Sequence, residues 1–507
     1  MWVTLQRRDV RTIAHYTGLL IVGIGLAMIV PLVTAVSLKE WAPALDYLMG
    51  MGISCAAGMT LALLSPKNTP LNRSNALIVT ALAWLAASLV AALPLALSGN
   101  YGSYLDALFD AMSGLTTSGL TLVQDLDHLA LSHNMWRHFT HLIGGQGIVV
   151  AAVSIAIGLR GGAMSLYIAE GRDEKILPNV MHTTRFIWFV TSVYVALGTI
   201  ALTIVNLTIG MEPVRSGLHA FWATIATYDT GGFGPQSMNA LYYHSGVFEF
   251  VTVVLMIAGT LNFNLHADVW RGDRGELFKN IEARAWSTNV VVLVVFSTLG
   301  LAATRVFTGV PEIIRKGVYH IFSANTGTGH QTLYAAQWAR DYGGLAMGAV
   351  ILAMAFGGMA SSTAGGIKAL RLGVIFKGIV WRIHESLAPK SAVITERFHH
   401  LDDRELTDAL LNNALMVFML YMFTYVTGAL IGAAYGYPMG EALFESVSAA
   451  ANVGLSTGIT NPAMPTVLKL VYILQMWAGR LEFVALFALF ASFVVSFGRR
   501  RTEGRSS

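Results

Sequence analysis

The chain has 507 residues, 54% of them hydrophobic and 12% charged, where soluble domains carry roughly 25% charged residues. That composition excludes an ordinary soluble domain and indicates an integral membrane protein, with a mean hydropathy of +0.58. The net charge of +4 calls for no nucleic acid, because basic residues on the cytoplasmic side of a membrane protein supply it. The single Cys55 excludes an internal disulfide and any multi-cysteine metal site.

Apolar runs near 20 residues long, enough for a hydrocarbon core of about 30 Å, recur throughout. The first two, 13–36 and 45–64, follow a basic stretch with Arg7, Arg8 and Arg11 and precede Lys67 and Arg73, so they predict a retained hairpin with both ends inside. The next span, 76–97, leads outward to ALFDAMSGLTTSGLT (107–121), which is too short to cross and reads as a half-helix that stops at a glycine turn and re-emerges as extended chain. A span at 139–159 returns to Arg160, Arg172, Lys175 and Arg185.

The same order repeats three times. Span 186–210, loop AFWATIATYDTGGFG (220–234) and span 247–265 lead back to Arg271, Arg274, Lys279 and Arg284. Span 286–308, loop GVYHIFSANTGTGH (317–330) and the overlong run 343–376 lead to Lys377, Arg382, Lys390, Arg397 and Arg404. Span 410–434, loop ALFESVSAAANVGLSTG (442–458) and span 468–497 lead to the arginines at 499–501. Every basic cluster falls on one side only if the loops do not cross. The expected topology is therefore about ten spans and four half-spans, with both termini cytoplasmic. Its segments are a hairpin at 1–68 and four repeats at 69–170, 171–275, 276–395 and 396–507.

Aligned on Gly119, Gly231, Gly327 and Gly454, the loops place Thr117, Asp229, Asn325 and Asn452 two positions earlier and Ser118, Thr230, Thr326 and Val453 one position earlier. Phe109, Phe221 and Phe444 stand ten positions before the glycine in three repeats, and Gly145, Gly259, Gly358 and Gly479 follow it by about 25–31 residues. A repeat with an even number of crossings keeps one orientation, which suits a ring rather than inverted halves. Rings of backbone carbonyls can replace the hydration shell of a cation. Glycine takes the backbone angles that aim successive carbonyls to one side, and the C-terminal dipole of each half-helix favours a cation. A single S-G or N-T-G pair is an ordinary turn; four matched loops make a cation filter.

These residues, with MWRHFTHLIGGQGIVV, NFNLH, STAGGIKALR and AGRLEF, resemble the TrkH/KtrB family of potassium uptake proteins in the Trk/Ktr/HKT superfamily. The N-terminal hairpin is more similar to the TrkH branch. The resemblance implies an all-α membrane protein with four repeats around a pseudo-fourfold pore, a homodimer, and potassium as substrate, bound only at the filter. It also implies regulation by a cytoplasmic ring of nucleotide-binding subunits, TrkA/KtrA-like, with nucleotide (ATP/ADP or NAD) reaching the system only through that partner. No covalent cofactor is expected. Glycine at all four filter positions favours potassium over sodium. Asp229 departs from the Thr or Asn of the other repeats and either draws cations inward or is buried and hydrogen-bonded behind the loop.

FGGMASSTAGGIK (356–368) interrupts the third return. Gly357, Gly358, Gly365 and Gly366 with Ser361, Ser362 and Thr363 make a poor helix interior, so a loop under the filter is expected, which the resemblance identifies as a gate. Lys368 then opens a second half-helix. Arg480 is a second intramembrane cation, and such a charge must face protein or pore; the resemblance places it near the gate, where it repels cations or anchors the loop, with a purely structural role as the alternative. Glu482 is not an obvious partner for it. GGQG at 144–147 lacks the strand of a nucleotide loop, and no nucleophile–base constellation suggests an enzyme. His138 and His141 share a helix face without further metal ligands, and Asp125, Asp127, His128 and His133 read as outer-loop residues. The function expected is potassium uptake across the plasma membrane. The alternative is a secondary transporter that couples potassium to protons or sodium by alternating access.

Overall fold

A computed structural model describes residues 6–63, 71–147, 166, 180–389, 391–392 and 394–503. Arg160, Arg172, Lys175, Lys67 and Lys390, and most of the first return span, lie outside the described residues. Apolar sequence folds as helix here because in lipid every backbone N–H and C=O must be satisfied within its own segment. Six of the described helices are long and apolar enough to cross a membrane, and two further pairs qualify when taken together across a break. By internal contacts the chain divides into two units, Met1–Thr116 with Leu122–Phe189 and Arg480–Ser507, and Thr117–Thr121 with Val190–Gly479.

In the first unit, α1 (Arg7–Ala27), α2 (Ile29–Ser37) and α3 (Trp41–Leu63) form the hairpin. Small residues let its helices touch: a methyl on Gly18 would meet the Gly58 carbonyl oxygen at 2.5 Å. Close backbone approach is how helices gain van der Waals contact in a solvent as apolar as themselves. The spanning helix α4 (Arg73–Leu97) leads to the half-helix α5 (Tyr104–Leu115), whose cap Ser103 accepts from the Asp106 amide at 3.2 Å. The return, α6 (Leu131–Gln146), starts earlier than its apolar run suggests. Its own cap residue, Ala130, has no side-chain acceptor, so the Glu40 carboxylate accepts from the Leu131 and Ser132 amides, each at 3.0 Å. A carboxylate at this end satisfies free amides and the positive pole together.

The second unit carries three repeats: α7 (Val180–Thr208), α8 (Pro213–Tyr228) and α9 (Gly246–Thr260) with α10 (Phe263–Arg271); after the short α11 (Glu276–Lys279), α12 (Ile281–Thr304) and α13 (Val310–Asn325); and, after α14 (Ala335–Arg340), α15 (Gly344–Ala355) with α16 (Ala369–Leu387). A β-hairpin, β1 (Arg397–His400) antiparallel to β2 (Asp402–Glu405), precedes the last repeat, α17 (Asp408–Ala434), α18 (Met439–Ala450) and α19 (Thr466–Arg480); α20 (Val484–Glu503) belongs to the first unit. The hairpin was not expected from sequence; Phe398 and His400 alternate inward, and Phe398 packs with Val374, Trp381, Leu406 and Leu411.

The half-helices α5, α8, α13 and α18 have 12 to 16 residues, about 18–24 Å at 1.5 Å per residue and short of a 30 Å core. The returns are more uniform than sequence indicated. The third is broken as expected, but the second also breaks at Leu261–Asn262, with a bend of 100°. In the fourth, α19 ends at Arg480, and Glu482 and Phe483 take left-handed backbone.

Asp110 on α5 and Arg137 on α6 form a fully buried ion pair at 2.9 Å, and the Tyr101 hydroxyl donates to the same carboxylate at 2.9 Å. Removing one partner of a buried pair typically costs about 3–5 kcal/mol. Arg137→Leu is therefore expected to lower the thermal midpoint of the detergent-purified protein sharply, as read by tryptophan fluorescence, whereas Asp125→Asn in the exposed outer loop leaves it unchanged.

Candidate functional site

Each half-helix ends in the same way, and this sets the register of the loops. Behind the last helical residue comes one cap residue, Thr116, Asp229, Thr326 or Ala451. The next residue is left-handed in all four loops: Thr117 (φ 56°), Thr230 (51°), Gly327 (75°) and Asn452 (56°). Two positions further, the chain is left-handed again at Gly119 (79°), Gly232 (75°), Gly329 (81°) and Gly454 (99°). The amide bonds follow the same order, with Gly231 and Gly232 donating to Ala226 O, Thr328 and Gly329 to Ser323 O, and Val453 to Ser448 O.

The equivalent glycines are therefore Gly119, Gly232, Gly329 and Gly454. The register read from sequence holds in the first and last loops but moves by one residue in the second and by two in the third. Gly231 shares its position with Ser118, Thr328 and Val453, and Gly327 shares its position with Thr117, Thr230 and Asn452. Asp229 and Thr326 are cap residues, and Asn325 ends its helix. The corrected register also aligns Phe109, Trp222, Tyr319 and Phe444, four buried aromatics where the earlier alignment had three phenylalanines. That aromatic series was the available sequence signal for the correct register.

The four loop segments close on one another within the second unit. A methyl on Gly119 would meet the Gly231 carbonyl oxygen at 2.5 Å. One on Gly232 would strike the Thr328 carbonyl oxygen, one on Gly329 that of Val453, and one on Gly454 that of Ser118. The contacts run first loop to second, second to third, third to fourth and fourth to first. This is a ring with no room for a β-carbon at these four glycines. Non-glycine residues in left-handed backbone cost of order 1–3 kcal/mol each, so Thr117, Thr230 and Asn452 are held there by their surroundings. Asn452 Nδ2 donates to Ser118 Oγ at 2.8 Å and to Met476 O at 2.9 Å, and Asn325 Nδ2 donates to Phe356 O at 2.6 Å. Thr326 Oγ1 lies 2.9 Å from Thr328 Oγ1. Asp229 is fully buried, its amide donating to Ile225 O at 2.9 Å.

The returning helices press against the ends of the half-helices. Gly144, Gly259 and Gly479 each lie against the last helical carbonyl of their own repeat, that of Leu115, Tyr228 and Ala450, closer than any side chain permits. Gly144 thus replaces Gly145 as the matched residue of the first repeat.

The broken third return lies directly against the ring. Gly357 N–H donates to Ile367 O at 3.0 Å, Ile367 N–H to Ala355 O at 3.2 Å and Ala369 N–H to Gly358 O at 3.0 Å, closing 357–368 as a loop between α15 and α16. Gly357 stands against Gly365 O, and Gly366 is left-handed, as is Ser361. Thr363 Oγ1 donates to Gly259 O at 2.9 Å and Thr230 Oγ1 donates to Thr363 Oγ1 at 3.1 Å. A methyl on Gly327 would meet Gly365 N at 3.4 Å, and Gly365 itself abuts Ala451 O and Asn452. The 357–368 segment therefore touches the second, third and fourth loops of the ring. Ser362 Oγ donates to Met359 O at 2.6 Å, and Lys368, the cap of α16, donates from Nζ to Ala364 O.

Glu282, which the sequence did not single out, holds the far end of this loop: its buried carboxylate accepts from the Ala360 amide. The Glu282 amide donates to Asn280 Oδ1 at 3.0 Å, and His400 Nδ1 of the β-hairpin lies 3.2 Å from the same oxygen. Arg480 belongs to the first unit. There it donates to the Gly144 carbonyl, with its guanidinium 5.5 Å from the Trp84 ring centre. His138 and His141 bond the carbonyls of Asn134 (2.7 Å) and Gly114 (3.0 Å) through Nδ1. Among the described residues no group of three or more His, Cys, Asp or Glu could hold a metal ion.

The chain is 31% identical over 493 residues to an uncharacterized cation transporter of Methanocaldococcus jannaschii, covering 96% of this chain and 97% of that protein. It is 28% identical over 491 residues to the Trk system potassium uptake protein TrkH of Escherichia coli, covering 95% and 98%. The crystal structure of the potassium transporter TrkH from Vibrio parahaemolyticus shares its fold, with a TM-score of 0.80 at 23% identity over 96% of this chain and 98% of that one. Residues 47–496 match the family TrkH, cation transport protein. A chain matched to this extent, with four half-helices whose loops close into a ring, belongs to the TrkH family of cation transport proteins.

Proposed function

We propose that this protein takes up potassium across the plasma membrane through a filter formed by the four loops, and that the 357–366 loop is its gate. The observation that carries the reading is the closed cycle in which each filter glycine stands against the carbonyl of the next loop. Backbone oxygens brought together at the ends of four half-helices offer a cation partial charges in place of water, without a full negative charge in the bilayer. The names of the Escherichia coli relatives, Trk system potassium uptake proteins TrkH and TrkG, support potassium as the ion. Basic residues gathered at every inner turn support cytoplasmic termini. In this reading the protein is a homodimer and its inner basic segments, 271–284 and 377–404 among them, receive a nucleotide-binding regulatory ring. The counterpart at 160–185 falls largely outside the described residues, and that at 499–505 begins within α20.

Filter register gives the sharpest test. Gly119→Ser and Gly232→Ser are expected to raise sodium permeation relative to potassium at least several-fold in vesicle flux. Gly231→Ser, at the position where Ser118 already stands, leaves the ratio near wild type. Equal effects of the two substitutions in the second loop would refute the ring as the filter. Currents in a lipid bilayer far above carrier turnover are also expected; coupled uptake without them would point to alternating access instead.

The gate has its own test. Deleting 359–364, or weakening the Ala360 anchor with Glu282→Gln, is expected to raise basal potassium flux in vesicles lacking any regulatory partner. Closed, well-folded variants would count against the gate.

A further inference from the structure

A cavity of about 710 Å3 opens between α12, α16 and β1 in the second unit, and the ion path proposed above makes no use of it. One wall is apolar: Val292, Phe376 and Val380 line it and are also substantially exposed, Phe376 by 61%. Basic side chains line it as well, Lys279, Arg284, Lys377 and Arg397, beside the single carboxylate of Glu396. Helix α12 has 24 residues, about 36 Å against a core of about 30 Å. Arg284 in its first turn therefore sits where hydrocarbon gives way to headgroups. The cavity is apolar on the side of the spanning helices and cationic at the boundary.

The charges are not used up internally. Lys377 is committed to the hairpin, with Nζ 2.5 Å from Glu396 Oε1. Asp403 and Glu276 flank His399 at 2.7 and 2.8 Å and hold its imidazole above the ordinary range. Lys279, Arg284 and Arg397 form no ion pair among the described residues. Three unanswered cations beside an apolar wall match a ligand with an anionic head and a hydrocarbon tail. A soluble protein could meet the cations but not the flank on the spanning helices.

We propose that this cavity binds an anionic phospholipid of the inner leaflet, its headgroup phosphate between Arg284 and Arg397 and its acyl chain along Val292 and Phe376. Basic pockets between spanning helices on the cytoplasmic side are suited to such headgroups. The site does not depend on the filter or the gate. Its hairpin wall is, however, the element that reaches the loop through His400, Asn280 and Glu282.

Native mass spectrometry of the full chain, delipidated in detergent and titrated with dioleoylphosphatidylglycerol or dioleoylphosphatidylcholine, tests the site. The wild type is expected to retain phosphatidylglycerol selectively. The variant Arg284→Gln/Arg397→Gln is expected to bind it about thirtyfold more weakly, with thermal midpoint and phosphatidylcholine retention unchanged. Equal retention of the two lipids by the wild type, or unchanged phosphatidylglycerol affinity in the variant, would overturn the proposal. Displacement of phosphatidylglycerol by millimolar glycerol phosphate would also overturn it, because the site would then read a free phosphate rather than a lipid.

Discussion

Where Gly119, Gly232, Gly329 and Gly454 meet, each α-carbon stands against the carbonyl oxygen of the neighbouring loop, and no side chain fits at any of the four contacts. Much of the second unit can be understood from that constraint. Backbones this close must be satisfied locally, so the half-helices end in identical caps and their last amides turn back to carbonyls one turn earlier. Left-handed residues two apart then follow, and three of the four inner ones are not glycine. Their strain is offset by the Asn452–Ser118 and Thr230–Thr363 hydrogen bonds.

The returning helices complete the arrangement. A glycine on each of three returns receives the last carbonyl of its half-helix; in the remaining repeat Asn325 performs the corresponding task by donating to Phe356 O. Having passed this contact, the described returns give up helical geometry. Irregular backbone at such depth is tolerable only where protein or a polar cavity covers it. Among the described returns the interruption of the third is longest, and it packs on the ring: Thr363 bonds the second repeat and Gly365 abuts the fourth.

Among the described residues several buried charges have a definite receiver. Asp110 meets Arg137, Glu40 caps a helix, Glu282 holds a loop amide, and Arg480 holds the Gly144 carbonyl. A buried charge costs several kcal/mol unless it is answered. Lys279, Arg284 and Arg397, which form no ion pair among the described residues, stand apart from this pattern.

Hydropathy, loop repetition and the placement of basic residues were sufficient to read from sequence the membrane class, the four half-helices and the interruption at 356–368, because each depends on local composition. The choice among several glycines in one loop was not. YDTGGFG offers three and NTGTGH two, and which of them abuts its neighbour depends on backbone handedness and on the adjoining loop, neither of which is encoded within a few residues. Similarly, nothing near Glu282 in sequence announces Ala360, 78 residues away. Local composition determined that these segments enter a membrane and turn back; contacts between segments far apart in sequence decided which atoms form the ring and which carboxylate holds the loop beneath it.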